Sequence, residues 1–366
     1  MNNQLLDRLS LRSRFQRFSS GLFRLGLALG ILASALTARE RRFLCHFYLV
    51  NEPSSLQSVQ NNYRQISLVS PQWFGVDEAG QLESTVDPEV VEWAAAHRIP
   101  IMPLLINQKF QPSVAHAVLN NEQTWSQVIA QLVESAAVHR FYGIQVDFEN
   151  VPAEDRDRFT QFISKLAKEL HRRRLKLSVA TAAPLTPAPP RTTSDTSPPA
   201  PWSANNQSVA YDYRALGRVA DFVTLMTYDE FTSPDRAGPV AGLPWVIACL
   251  QHTLELIPSK KLLLGIPLYY GLWDGQSVRE GPYAEALSLA ERWGTKIQVD
   301  PEQREEPFQF QDGPNLSVVW LQDSQSLRER MALVGQYRLA GFSAWRLGQE
   351  AAEAWNNVFP RVAGKP

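Results

Sequence analysis

Cysteine is almost missing from this chain, with two in 366 residues, Cys45 in an apolar run and Cys249 in a predicted helix. No CxxC and no Cys/His spacing suits a metal, so zinc-ribbon and disulfide-scaffold classes are excluded. Both cysteines read as buried thiols, with a bridge between them left open. A charge excess is missing too: 36 Lys and Arg against 37 Asp and Glu leave a net charge of −1, which argues against a nucleic-acid partner. There is no solenoid-type repeat. A long apolar run is also lacking, because the uncharged stretch 25–38 falls short of the about 20 residues that span a bilayer comfortably. What is there in quantity is ordinary globular material, 44% hydrophobic and 20% charged, enough to bury a large core.

Residues 1–40 stand apart by composition. Arg8, Arg12, Arg14, Arg17 and Arg24 precede the uncharged run, and Ala33-Ser34-Ala35 offers small residues for cleavage. The pattern predicts an export signal, hence a periplasmic, cell-envelope or secreted protein. If residues 21–38 act together around Arg24, the same segment is instead an uncleaved membrane anchor. A basic amphipathic leader on a cytosolic protein is the third reading.

Residues 41–366 form one unit in which strand-like and helical runs alternate, the pattern of βαβ units around a parallel sheet. Strand candidates fall at 43–50, 65–70, 99–106, 143–149, 175–181, 222–228, 261–268 and 341–345; helical periodicity marks 87–97, 124–139, 153–174, 243–257 and 324–339. Eight strands predict an α/β fold of the (β/α)8 TIM-barrel type. Asp87-Pro88 reads as an N-cap followed by proline at the first helical position. Two stretches break the alternation. Residues 184–202, dense in Pro, Ser and Thr, predict a long loop on the side where strands end. Residues 269–316, rich in Gly, Pro and charge, predict a small insertion or short extra β element between strands 7 and 8.

The fourth strand candidate carries the chemistry. In Gly143-Ile144-Gln145-Val146-Asp147-Phe148-Glu149, period-two alternation puts Gln145, Asp147 and Glu149 on one face and the apolar residues on the other. A carboxyl raised by burial and by a neighbouring carboxylate is a general acid, still protonated when a leaving group needs a proton; a carboxylate pair at a solvated strand end is the plainer alternative. Barrel enzymes gather their sites at the C-terminal ends of the strands. Those ends carry Tyr48, Trp73, Asn107, Asp147 and Glu149, Tyr228 and Asp229, Tyr269, and Trp345 with Arg346. Singly, each aromatic is more often core. Together they make a carbohydrate-like lining, with aromatic faces for sugar C–H surfaces and Asn, Asp and Arg for hydroxyl and amide groups. No His cluster completes a transition-metal site, so neither metal nor cofactor is expected.

The acid strand resembles the DxxDxDxE strand of glycoside hydrolase family 18, the chitinase-like (β/α)8 barrels. Further stretches, from Tyr211-Asp212-Tyr213-Arg214 and Met226-Thr227-Tyr228-Asp229-Glu230 to Gly238-Pro239-Val240 and Ala344-Trp345-Arg346-Leu347-Gly348, resemble its branch of spore-cortex and peptidoglycan N-acetylglucosaminidases and polysaccharide-synthase-fused hydrolase domains. The resemblance implies substrate-assisted retaining hydrolysis of a polysaccharide containing β-1,4-linked N-acetylglucosamine. It assigns Glu149 as general acid and base, Asp147 to the acetamide, Tyr228 to the acetamide carbonyl, Trp345 to the sugar floor and Asp229 to sugar hydroxyls.

Two positions depart from that pattern: Tyr142 and Gln145 stand where the family strand has its first and second Asp. Gln145 is expected to hydrogen-bond Asp147 but cannot carry charge or release a proton, which predicts an altered acid limb in the pH profile. A non-catalytic, lectin-like member that keeps only the groove is the other functional class; retention of Glu149 favours the enzyme.

Overall fold

The computed structural model describes residues 43–184 and 207–362. The expected leader (1–40) and all but the first residue of the 184–202 loop lie outside the described residues.

Eight parallel strands form the barrel: β1 (Leu44–Leu49), β2 (Leu68–Pro71), β3 (Leu104–Asn107), β4 (Gly143–Asp147), β5 (Lys176–Ala182), β6 (Phe222–Met226), β7 (Leu262–Pro267) and β8 (Gly341–Trp345). Hydrogen-bonded neighbours run β2-β1-β8-β7-β6-β5-β4-β3. The ring closes between the ends of that row. Val69 of β2 bridges Ile101 in parallel, its N–H donating to Pro100 O at 3.1 Å while Met102 N–H donates to Val69 O at 2.9 Å. A short hairpin, Phe74–Val76 with Leu82–Ser84, hangs beside β3 and was not read from the sequence.

Alternation along the strands sorts side chains into two cores. Outward residues such as Ile144, Val146 and Phe148 join a helix-facing cluster, in which Phe148 stacks on Phe162 with centroids 5.8 Å apart. Helix Arg156–Arg172 supplies Phe159, Phe162, Ile163, Leu166, Ala167 and Leu170 at helical spacing. Each of these except Ala167 contributes roughly 1.5–3 kcal/mol when fully buried. Inward residues are unusually polar, as the site shows below. The expected cap holds: Asp87 Oδ1 accepts from Glu89 N at 2.8 Å and Val90 N at 3.3 Å at the start of helix Pro88–Ala96. Helices Pro53–Asn62, Pro112–Leu119 and Tyr213–Val219 were not predicted.

Between β7 and β8 the chain builds a four-stranded antiparallel sheet in the order Val278–Pro282, Tyr269–Trp273, Asn315–Leu321, Glu306–Asp312, with helix Tyr283–Trp293 alongside. It has its own core, including Tyr270, Phe308, Phe310 and Val319. The insertion outruns its expected end at residue 316, because Gly313-Pro314 is the turn of a hairpin rather than the way out. Cys45 and Cys249 are both buried and no disulfide joins them. Among the described residues, no helix is long and apolar enough to cross a membrane.

Candidate active site

β4 delivers the acids, and its neighbours hold them. Asp147 ends the strand, 5% exposed, with Oδ1 lacking any hydrogen-bond partner. Two residues on, Glu149 keeps partial solvent contact while its backbone is clamped. Asn107, at the end of β3, accepts from Glu149 N–H at 2.9 Å and donates to Glu149 O at 3.0 Å and to Gln111 O at 3.0 Å. Tyr211 Oη donates to Phe148 O at 2.7 Å from the other side. The sequence offered Asn107 as a lining residue. Fully buried, with its amide spent on the backbone, it positions the acid instead.

Electrostatics separate the two carboxyls from ordinary ones. Burial raises Asp147 to about 7. Glu149 is pushed well above the usual range, first by burial and then by the charges of Asp147 and Asp229. The two titrate as a pair, so the first charge is shared and the second is strongly resisted. A site with one anion and one protonated carboxyl near neutral pH is what this arrangement supplies.

The turn after β6 brings Tyr228 and Asp229. Asp229 adopts a left-handed conformation, φ 59°, and its carboxylate accepts from Tyr269 Oη. Burial raises Asp229 while that hydrogen bond lowers it. The hydroxyl of Tyr228 stays protonated, held up by burial and by Tyr48, Asp147, Asp229 and Glu149 around it. Its ring lies 6.3 Å from that of Tyr269. Thr227 Oγ1 donates to Gly265 O at 2.7 Å, Glu230 N–H donates to Val240 O at 3.0 Å, and Gly242 N–H donates to Glu230 at 2.8 Å, which fixes the turn.

From β8, Trp345 sets its ring 5.3 Å from that of buried Tyr48, tilted by 58°. Arg346 donates to Glu52 at 2.7 Å and lies 4.0 Å from Glu280 of the insertion, a rim cluster of mixed charge. Trp73 is not in this gathering. Its ring packs 5.9 Å from Phe141 in the helix-facing core, because the chain leaving β2 turns outward into the extra hairpin.

Gln145 departs from its expectation as well. Its Nε2 donates to Tyr48 Oη at 2.9 Å and to Thr224 Oγ1 at 3.2 Å, across the barrel, and Oε1 has no partner. No hydrogen bond joins it to Asp147 among the described residues. Beneath it runs a chain that the sequence reading missed. Thr224 Oγ1 meets Ser343 Oγ at 3.0 Å, Ser343 meets His46 Nδ1 at 2.5 Å, and His46 Nε2 meets Ser70 Oγ at 2.6 Å. Burial lowers His46 to about 3, so the ring is neutral. The overlooked signal was single polar residues at inward positions of otherwise apolar strands. Among the described residues, no group of three or more His, Cys, Asp or Glu is placed to hold a metal ion.

A closed parallel barrel with two raised carboxyls at one strand end, and a tyrosine hydroxyl and a tryptophan at neighbouring strand ends, is the kind of site that a glycoside hydrolase presents. The profile of the family described as glycosyl hydrolases family 18 matches residues 107–350. The chain belongs to glycosyl hydrolases family 18. Among relatives, it is 26% identical over 320 residues to the uncharacterized glycosylase YvbX of Bacillus subtilis, covering 85% of this chain and 89% of that one. It is 29% identical over 265 residues to the cortical fragment-lytic enzyme of the same organism, covering 70% of this chain and 58% of the relative. The crystal structure of a chitinase from Chromobacterium violaceum superposes with a TM-score of 0.77 at 27% identity, over 87% of this chain and 98% of that one.

Proposed function

We propose that the protein hydrolyses polysaccharide containing β-1,4-linked N-acetylglucosamine, of peptidoglycan or chitin type, by a retaining mechanism in which the substrate's own acetamide is the nucleophile. The observation that carries this reading is the raised Glu149 carboxyl beside Asp147, at the end of one barrel strand. Glu149 gives its proton to the glycosidic oxygen as the acetamide carbonyl oxygen bonds to the anomeric carbon, and the leaving sugar departs as an alcohol. Asp147 accepts from the acetamide N–H, for which its unpartnered Oδ1 is a ready acceptor, and its charge offsets the positive oxazolinium ring. Tyr228 donates to the acetamide carbonyl, Trp345 underlies the ring and Asp229 meets hydroxyls. Glu149, now a carboxylate, takes a proton from water as that water opens the intermediate, which restores the acid.

The names of the relatives support both substrate types, one a cortical fragment-lytic enzyme and one a chitinase. The basic leader supports action outside the cytoplasm, with residues 21–38 as signal or anchor. The test is release of reducing ends from N-acetylglucosamine oligomers and from purified peptidoglycan, comparing the protein with Glu149→Gln. The variant is expected to retain binding and lose about 10²–10⁴-fold in turnover. Binding by both proteins with turnover by neither would replace the hydrolytic reading with the lectin-like one.

A further inference from the structure

The opposite, N-terminal face of the barrel carries a second cluster that the hydrolytic chemistry leaves unused. Three successive helix-to-strand junctions end in arginine: Arg98 before β3, Arg140 before β4 and Arg174 before β5. All three are exposed, and together with Tyr142 they line one open cavity of about 450 Å³. Each sits in a left-handed backbone conformation, with φ of 53°, 56° and 61°. That conformation favours glycine or asparagine, so a long cationic side chain there runs against local preference three times over.

Helix electrostatics accounts for only part of the pattern. A helix C-terminus favours a cation anywhere in its last turn; the last turns of Pro88–Ala96 and Glu122–Val138 contain none, whereas that of Arg156–Arg172 holds His171 and Arg172. The cation comes just beyond, where the chain swings onto the face. Of the neighbouring charges, Arg172 pairs with Glu169, and His171 and Lys176 both pair with Asp221. Among the described residues, no ion pair uses Arg140 or Arg174. Two exposed apolar side chains flank the cavity in sequence, Val138 at 69% and Tyr142 at 36% exposure.

We propose that this face docks on an anionic phospholipid membrane, with the arginines binding phosphate headgroups and Tyr142 and Val138 entering the interface. Guanidinium forks match phosphate oxygens, and a tyrosine is at home at headgroup depth. A membrane is favoured over a free phosphate because the cations lie on three separate junctions of an open face with apolar residues beside them. The chain also enters β1 at this same end, directly after the segment with the export-signal pattern. Docking by this end leaves the acid-bearing cleft, at the other end of the strands, open to a polymer.

The test compares the full chain with its Arg98→Asn, Arg140→Asn, Arg174→Asn variant; asparagine is chosen because it tolerates the left-handed conformation. Co-sedimentation is measured on vesicles of phosphatidylcholine alone and of phosphatidylcholine with phosphatidylglycerol, with inorganic phosphate titrated separately by calorimetry. The leader is present in both proteins, so any affinity it adds cancels. Partition onto the phosphatidylglycerol vesicles is expected to fall on the order of a hundredfold in the variant and to be equal on phosphatidylcholine. Turnover of soluble N-acetylglucosamine oligomers is expected to be unchanged, which separates this proposal from the hydrolytic reading. Equal partition of the two proteins overturns it. Phosphate binding without preference for the anionic vesicles also overturns it, in favour of a soluble anion. Loss of turnover together with partition overturns the separation of this face from the active site.

Discussion

The lower and upper halves of the barrel interior are both polar, and they treat their polar groups in opposite ways. Below, His46 uses both ring nitrogens on Ser70 and Ser343, and Ser343 passes the chain to Thr224. The hydroxyl of Ser178, opposite Gln145 in the strand register, lacks a partner among the described residues. Above, two strong acceptors, Gln145 Oε1 and Asp147 Oδ1, are buried with no donor. A buried unsatisfied acceptor costs about 1–3 kcal/mol, more when charged. Within the barrel interior the unsatisfied acceptors therefore lie where the proposed mechanism brings a substrate amide, and the hydrogen bonds are spent below it. On the proposed mechanism, function resides in the unsatisfied half and stability in the satisfied one.

Asp147→Asn is the strongest way to break that contrast, because it makes the upper half resemble the lower. Turnover is expected to fall about 10²–10³-fold as the charge opposite the oxazolinium disappears. Stability should move the other way. The folded carboxyl titrates at about 7 against an ordinary 3.8. A group raised on folding contributes fully at low pH, and the contribution is lost as pH rises through the folded value. At pH 8 the wild type therefore carries a buried anion, and the variant should be more stable there, on the order of 2–4 kcal/mol. At pH 4 the two should converge. Denaturant titrations at the two pH values read this directly; a variant no more stable at pH 8 than at pH 4, relative to wild type, would count against the contrast.

The lower half gives the reverse signature. His46→Ala strips partners from Ser70 and Ser343 and opens a cavity, an expected loss of about 2–4 kcal/mol. Turnover per folded molecule, and its pH dependence, should hold, because a ring lowered to about 3 is neutral throughout the working range. The wild type also loses stability as pH falls from about 6.5 toward 3, since the unfolded chain takes up a proton that the folded ring refuses. The variant should lose that part of the slope. A displaced pH–rate profile in this variant would show that the lower chain takes part in the chemistry.

This division also decides what was legible in the sequence. The eight strands were readable because outward apolar residues and loop punctuation repeat along the chain, and Glu149, Asp147, Tyr228 and Trp345 because local motifs deliver them to strand ends. Asn107 and Tyr211 carry no local mark of their backbone-holding roles, since each acts on a strand far away in sequence. Trp73 misled because a strand end was assumed to continue inward, whereas the chain turns into a hairpin beside β3. The insertion's true end was hidden by Gly313-Pro314, a turn that looks the same whether a sheet stops or folds back.

Gln145 is where the two halves meet, since its amide ties Tyr48 and Thr224 below while its unpartnered oxygen belongs above. In the wild type position 145 offers no carboxyl that could share a proton with Asp147 from below, so the carboxylate that the proposed mechanism needs beside the acetamide appears only as pH climbs toward 7. Activity should accordingly fall on the acid side of that value. Gln145→Asp places a further carboxyl two residues before Asp147 on the same strand face, on the side away from Glu149. Two adjoining carboxyls that share one proton ionise once more easily and once with more difficulty. The first ionisation then supplies the single anion at lower pH, and the acid limb of kcat/KM should move down the pH axis. Below the limb, activity should rise about tenfold for every pH unit by which it moves. The alkaline limb, which the proposed mechanism sets by loss of the Glu149 proton, should move up, because any further charge nearby holds that proton more tightly. The substitution thus widens the profile on both sides, at some cost in stability from the lost amide donor to Tyr48 and Thr224. Superimposable kcat/KM profiles for the two proteins would mean that the glutamine is spectator packing and that the upper half owes its electrostatics to Asp147, Glu149 and Asp229 alone.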